Sequence, residues 1–219
     1  MRRLKTACDR FEFERVLWLQ GMQRVAGVDE AGRGPLAGPV MAAAVILPAR
    51  WAHTGLPEEL EGLNDSKQLT EARREKFCAF ILACPEIQSA HALLDAARID
   101  AINILQATHC AMNDALARLR PAAQHALVDG RPVKSLRLPQ TALVKGDARS
   151  YSIAAASVLA KVTRDHLMLQ YHEQWPAYGF AEHKGYGTAK HLAALAKFGP
   201  CPIHRKTFAP LRRPEPELW

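Results

Sequence analysis

Apolar positions along this chain fall into short runs and helical stripes that alternate. Residues 24–29 (RVAGVD) and 41–47 (MAAAVIL) are apolar runs bounded by Gly and Pro, and the segment AGRGPLAGPV joins them. Such runs predict two adjacent strands. A surface loop is expected over residues 48–64. Leu69, Ala72, Phe77, Phe80 and Ile81 then recur at helical spacing, with Thr70 placed as an N-cap and Pro85 beyond the end. Residues 87–94 read as a third strand. Ile102, Leu105, Met112, Leu116 and Leu119 share one face over about five turns, which predicts one long scaffold helix with Asp100 near its start and Pro121 at its stop. Residues 124–128 and 141–145 are short apolar strands, each running into an aspartate, Asp129 and Asp147. The Ala- and Ser-rich stretch from Ser150 to about His172 predicts a helix that approaches its neighbours closely. Residues 188–198 form a last amphipathic helix, closed by Gly199 and Pro200. Near the start, Phe11, Phe13, Val16, Leu17 and Leu19 suit a short helix packed on the domain.

Three strands in succession, followed by strands alternating with helices, predict an α/β fold with a mixed sheet flanked by helices. No linker-like composition precedes about residue 175. The expected organisation is an N-terminal extension (1–22), one domain (23–210) whose Gly-, His-, Lys- and Pro-rich part (176–210) is a small C-terminal cap, and a tail (211–219).

Composition narrows the class. The 219 residues are 48% hydrophobic and 23% charged, which excludes a disordered chain. No apolar run approaches the ~18 residues of a membrane span, and no apolar segment follows the basic start, so neither a span nor a secretory signal is expected. Five scattered cysteines without a C-x-x-C pair suit a reduced cytosolic interior. The net charge of +7 is uneven: residues 1–130 carry 15 basic and 16 acidic side chains, whereas residues 131–213 carry 14 and 4. That excess favours a polyanionic partner without identifying it.

Four carboxylates stand at or after predicted strand ends: Asp29 and Glu30, Asp129, and Asp147. A strand end is where a sheet presents side chains to a ligand, and clustered like charges are costly unless a cation joins them. Hard oxygen ligands would select Mg²⁺ or Mn²⁺, and two such ions would make a phosphoryl-transfer site. Singly, each acid is equally compatible with helix capping or a surface ion pair. Gly32, Arg33 and Gly34 follow the first two acids directly, so backbone amides can approach a ligand beside a phosphate-binding cation; a tight hairpin turn explains the same glycines. In HKGYGT (183–188), Tyr186 lies between glycines and can face a sugar or base, or else pack as a core aromatic. LNDSK (63–67) and HRK (204–206) offer hydroxyls and cations suited to phosphate oxygens, or simply solvated loops. The nine histidines lack zinc-like spacing with cysteine or carboxylate support.

In one order, GVDEAGRGPLAGPV (27–40), LNDSKQLT (63–70), NILQATHCAM (103–112), LVDG (127–130), VKGDARSYSIAAASVLAKVTRD (144–165), HKGYGT (183–188) and GPCPIHRKTFAP (199–210) closely resemble the motifs of type 2 ribonuclease H, in its bacterial form ribonuclease HII. The resemblance implies a ribonuclease H-like fold: a five-stranded mixed sheet with helices on both sides and a small C-terminal helical portion. It implies an endoribonuclease that hydrolyses the phosphodiester 5′ of ribonucleotides, in RNA–DNA hybrids and at single ribonucleotides embedded in duplex DNA, leaving a 3′-hydroxyl and a 5′-phosphate. The work implied is removal of misincorporated ribonucleotides and RNA primers. The family's metal-binding acids fall on Asp29, Glu30, Asp129 and Asp147, which would hold two divalent ions, Mn²⁺ or Mg²⁺. The backbone of Gly32, Arg33 and Gly34 would read the ribose 2′-hydroxyl, the group that distinguishes RNA from DNA. Tyr186 would stack on the neighbouring deoxyribose, while Ser66, Lys67 and Lys184 would contact phosphates. Asp165 also matches an acid of the family pattern and is expected to be structural, orienting basic neighbours. A cytoplasmic monomer is expected. The tail RRPEPELW lacks the Q-x-x-h-x-x-F-F pattern of clamp-binding peptides, so no replication-clamp partner is expected. Two other classes share parts of this pattern: a DNA nuclease or strand-transfer enzyme of the same fold, and a non-catalytic nucleic-acid binder. The glycine–arginine–glycine element with Tyr186 argues against the first, and the complete acid quartet against the second.

Overall fold

The structure, a computed structural model, describes residues 9–212. Cys8 and all of the tail beyond Arg212 lie outside the described residues. In chain order the elements are α1 (Glu12–Leu19), β1 (Val25–Ala31), β2 (Val40–Ile46), α2 (Trp51–Thr54), α3 (Glu71–Ala83), β3 (Gln88–Leu94), α4 (Ala96–Ile102), α5 (Ile104–Arg118), β4 (His125–Asp129), β5 (Gln140–Leu143), α6 (Gly146–Arg149), α7 (Tyr151–Gln174), α8 (Phe180–His183) and α9 (Ala189–Phe198). The five strands form one sheet in the order β3-β2-β1-β4-β5. β1 and β3 each pair antiparallel with β2, while β4 pairs parallel to β1 and β5 parallel to β4.

Strands β1 and β2 are central and covered on both faces, which is why they read as nearly continuous apolar runs. On one face, Met41, Ala43 and Val45 pack against α7 and α3; on the other, Ala26, Val28, Ala42 and Ala44 pack against α5. Small residues set the spacing. At Gly27 a Cβ would lie 2.0 Å from the carbonyl carbon of Ser152, so the backbone of α7 rests directly on β1. The buried run Ala154, Ala155 and Ala156 continues that close contact.

Thr70 caps α3 as expected, accepting from the Arg73 amide at 3.3 Å. Three expectations need correction. The long helix predicted around residues 102–119 is two helices, because Asn103 adopts φ 65° and caps α5 by accepting from the Gln106 amide at 3.1 Å. Asparagine is among the side chains found most often at positive φ, and apolar periodicity runs on across the break and conceals it. Asp95 caps α4, and Asp100 instead accepts from the Lys206 and Thr207 amides, fastening the cap's last loop. The loop 48–64 is not merely superficial: Trp51, Leu60 and Leu63 lie in the core. Asp147 sits on α6, beyond the end of β5.

Candidate active site

Parallel pairing aligns Val28 with Val128, so the next residues, Asp29 and Asp129, stand side by side where β1 and β4 reach the carboxyl edge of the sheet. Asp147 arrives from the short helix that follows β5. Carboxylate oxygens of Asp29, Asp129 and Asp147 lie within 4.8 Å of one another, and among the described residues this is the one group of three or more acid, His or Cys side chains so placed. The scaffold holds all three through peptide groups, Asp147 Oδ1 accepting from the Ala148 amide at 2.9 Å. Asp129 Oδ1 accepts from the Gly146 amide at 2.6 Å, and Asp29 Oδ1 accepts from the Glu30 amide at 2.7 Å. Burial, with the charges of Glu30 and Asp129 adding to it, pushes the Asp29 carboxyl well above the usual range; the Ser157 hydroxyl opposes this. Asp147 is raised too, by burial and by the charges of Asp129 and Asp65. Among the described residues, no lysine or arginine forms an ion pair with these three.

Glu30 points to the opposite face of β1, as alternation along a strand requires. Burial raises its carboxyl, and Arg33, at 3.3 Å, and Lys67 pull it back down. Glu30, Arg33 and Asp129 line, together with His109, Arg131 and Lys134, a groove of about 940 Å³. Three hard carboxylates drawn together without a cation suit a divalent ion, with Glu30 at the margin.

The glycine–arginine–glycine loop is fixed from below by two fully buried arginines. Arg205 donates from Nη2 to Gly32 O at 2.6 Å, from Nη1 to Arg33 O at 2.9 Å and from Nε to Gly38 O at 3.0 Å. Arg164 donates to Pro39 O, Ala37 O and Lys184 O. The loop is thereby joined to the cap, and Leu36 N donates to Gly185 O at 2.8 Å. Gly185, at φ 87°, leaves no room for a Cβ, which would stand 2.4 Å from Ala37 O. Tyr186 emerges beside Gly34, whose added Cβ would meet the Tyr186 ring at 3.7 Å, and remains exposed. The structure therefore brings Gly32, Arg33, Gly34 and Tyr186 together at the sheet edge.

The remaining candidates are placed differently. Ser66 is buried, with its hydroxyl 2.9 Å from that of Ser157, so it faces the scaffold beneath Asp29 and not the open groove. Lys67 is exposed, and Lys184 is half-buried with its ammonium turned to Ala181 O. Asp165 pairs with Lys161 at 2.6 Å, a structural role. Within the HRK tripeptide His204 and Arg205 are buried, and Lys206 is exposed. Sequence reasoning missed Asp65, which lies against Asp147; Ser157, whose hydroxyl lowers the Asp29 carboxyl; and Arg10, which donates to Asp147 O at 2.6 Å. Asp65 had a signal in the adjoining motif LNDSK, whereas Arg10 had none.

An acid cluster at the carboxyl edge of a mixed five-stranded sheet, with helices on both faces, defines an α/β protein of the ribonuclease H-like class. Comparison with known proteins narrows the class. The sequence profile of ribonuclease HII matches residues 26–211. A ribonuclease HII from Geobacter metallireducens is 53% identical over 196 residues, covering 90% of this chain and 88% of that protein. Another, from Syntrophotalea carbinolica, is 52% identical over 200 residues, covering 91% and 92%. Among solved structures, the ribonuclease H2 of Pyrococcus horikoshii superposes with a TM-score of 0.69 at 27% identity, covering 86% of this chain and 95% of that one. The chain belongs to the ribonuclease HII family. It is accordingly a metal-dependent hydrolase, an endonuclease with ribonuclease H activity on RNA–DNA. Among the described residues, no helix is long and apolar enough to cross a membrane.

Proposed function

We propose that this enzyme cuts the phosphodiester on the 5′ side of a ribonucleotide, both in RNA–DNA hybrids and at single ribonucleotides within duplex DNA, leaving a 3′-hydroxyl and a 5′-phosphate. The observation that carries this reading is the convergence of Asp29, Asp129 and Asp147 within 4.8 Å beside the loop bearing Gly32, Arg33 and Gly34. These three acids, with Glu30, would hold two divalent ions, Mg²⁺ or Mn²⁺. Bound there, such ions lower the pKa of water and offset charge on the leaving oxygen.

The chain's own residues do the rest. Carbonyl groups of the 32–38 loop are engaged by Arg205, which fixes the loop's backbone for the 2′-hydroxyl of a ribose. Tyr186 offers an exposed ring to the adjoining deoxyribose. Exposed Lys67 beside Glu30, and Arg131 and Lys134 along the groove, suit the phosphate backbone, and so does the basic bias of residues 131–213. For Lys184 a phosphate contact requires its ammonium to leave Ala181 O. Ser66 acts through Ser157 on the scaffold beneath Asp29. Free cysteines at 78, 84, 110 and 201 suit a reduced cytoplasm, where the enzyme works as a monomer, since one groove suffices for a duplex.

The test is direct. With Mg²⁺ or Mn²⁺ the protein is expected to cut a duplex containing one ribonucleotide, on its 5′ side, and an RNA–DNA hybrid, and to leave pure DNA intact. Equal cleavage of pure DNA overturns the reading.

A further inference from the structure

The cap encloses three histidines that the chemistry above does not use. His191 and His204 are fully buried, and His183 nearly so. His191 Nδ1 lies 2.9 Å from the backbone carbonyl of Tyr186; His191 Nε2 lies 3.0 Å from His204 Nε2; and His204 Nδ1 lies 2.9 Å from the Cys201 amide, 3.1 Å from its thiol and 3.2 Å from its carbonyl. His183 stacks on His191 at 4.5 Å between ring centroids.

The two ends of this chain can be assigned independently. A carbonyl only accepts, so His191 Nδ1 carries a proton, and in the neutral ring Nε2 is an acceptor. At the other end the shorter contact is with an amide, which only donates, while the Cys201 carbonyl at 3.2 Å already accepts from the His204 amide at 3.0 Å, so His204 Nδ1 is an acceptor and its Nε2 carries the proton. The two assignments meet without conflict: His204 Nε2–H donates to His191 Nε2, and His191 Nδ1–H donates to Tyr186 O. His183 follows the same rule, accepting from the Gly185 amide at Nδ1 and donating to Tyr178 O at 2.8 Å. A proton added at His191 Nε2 or His183 Nδ1 would face a donor. In keeping with this, burial pushes His204 down to about 4 and lowers His191.

We infer that His191, oriented by His204, is a positioning residue for Tyr186: its directed Nδ1–H sets the peptide from which the exposed ring projects beside Gly34, and so tunes recognition of the sugar next to the cleaved ribonucleotide. This rests on the role proposed for Tyr186. The Tyr186 carbonyl also accepts from the Thr188 amide at 2.8 Å, and the preceding peptide is held by the Tyr186 amide donating to His183 O at 2.9 Å and by Leu36 N donating to Gly185 O at 2.8 Å. The flanking glycines add no side-chain support.

The experiment uses two near-isosteric variants. In His191→Asn the carboxamide can place a donor where Nδ1 stands; in His191→Gln the polar atoms reach the Nε2 position and the donor to Tyr186 O is lost. The readout is the ratio of kcat/KM on a duplex with one embedded ribonucleotide to that on a continuous RNA–DNA hybrid. Tyr186→Ala should lower this ratio. His191→Gln should lower it about tenfold, the worth of one directed hydrogen bond, while His191→Asn stays within about twofold. In the Tyr186→Ala background His191→Gln should change the ratio no further, although both His191 variants lower Tm alike. If Tyr186→Ala leaves the ratio unchanged, the role of Tyr186 fails and the inference with it. If Tyr186→Ala lowers the ratio but His191→Gln does not, or acts equally with and without Tyr186, the positioning inference alone is overturned. ¹⁵N-histidine spectra of the unaltered protein at neutral pH give a check that needs no variant to fold. Nδ1–H at His191 and Nε2–H at His204 support the chain, and the reverse tautomers overturn it.

Discussion

Asp29, near the end of β1, and Arg205, beneath the segment that joins β1 to β2, are both buried, yet their charges are handled in opposite ways. Arg205 has three guanidinium nitrogens donating to three carbonyls, its face lies 5.0 Å from the Phe208 ring, and burial brings it down to about 9. Arg164 is likewise bonded to three carbonyls. Backbone dipoles complete these cations within the chain. Asp29 has a peptide amide and the Ser157 hydroxyl, and otherwise faces charges of its own sign, which together with burial drive its carboxyl up. Where the hydrogen bonds of a buried charge are complete, the group builds the fold. Where like charges are gathered without a counter-ion, the arrangement is finished by something from outside.

The sharpest way to break this contrast is Asp29→Asn. If the acid serves only a bound cation, activity should fall by about 10³-fold, since several kcal/mol of transition-state stabilisation go with the metal site. The same change should raise Tm in EDTA, because it removes a charge that the metal-free fold holds unfavourably while keeping an oxygen for the Glu30 amide. Calorimetric unfolding with and without EDTA checks this; a variant less stable in EDTA than its parent would make Asp29 a structural acid. Arg205→Met is the mirror experiment. It leaves the carbonyls of Gly32, Arg33 and Gly38 without their partner and should cost about 3 kcal/mol in urea unfolding, after allowance for the buried charge removed. An unchanged midpoint would show that the loop is held by its own turns and by the Leu36–Gly185 pairing.

The same contrast explains how much of the molecule the sequence discloses. Central strands buried on both faces announce themselves as apolar runs, and the acids stand out because such strands otherwise lack them, so β1, β2, β4 and their aspartates were legible. Asp147 was displaced onto α6, because a turn of helix after a short strand leaves no periodic signal. Asn103 breaks a helix that continuous apolar spacing predicts as one. Charged residues whose partners are backbone carbonyls carry no sequence mark at all. Arg164 sits within an ordinary helical stretch, and Arg205 lies in a tripeptide that looks like a solvated basic loop. The histidines of the cap read as scattered for the same reason: His183, His191 and His204 become neighbours only when α8, α9 and the 201–205 loop fold together.

Arg10 offers the smallest and most discriminating effect, because it lies before the segment that the ribonuclease HII profile matches and yet touches the acid cluster. Its guanidinium donates to Asp147 O at 2.6 Å and to Leu63 O, and rests 4.5 Å from the Tyr151 ring, while its own carbonyl accepts from the Tyr151 amide at 3.1 Å. It thus ties α6 to the loop that carries Asp65. Glu14, four residues on, completes the brace by accepting from the Ser150 and Ser152 hydroxyls at 2.6 Å each. Arg10→Gln should keep the fold, lower kcat about threefold, as the loss of roughly one net hydrogen bond to the backbone under a ligand implies, and raise the Mn²⁺ concentration needed for half-maximal binding in a titration. The effect is small because the Asp147 side chain keeps its own support, accepting from the Ala148 amide at 2.9 Å. An unchanged binding curve would place all of the control of Asp147 in α6 itself and confine the N-terminal segment to stability.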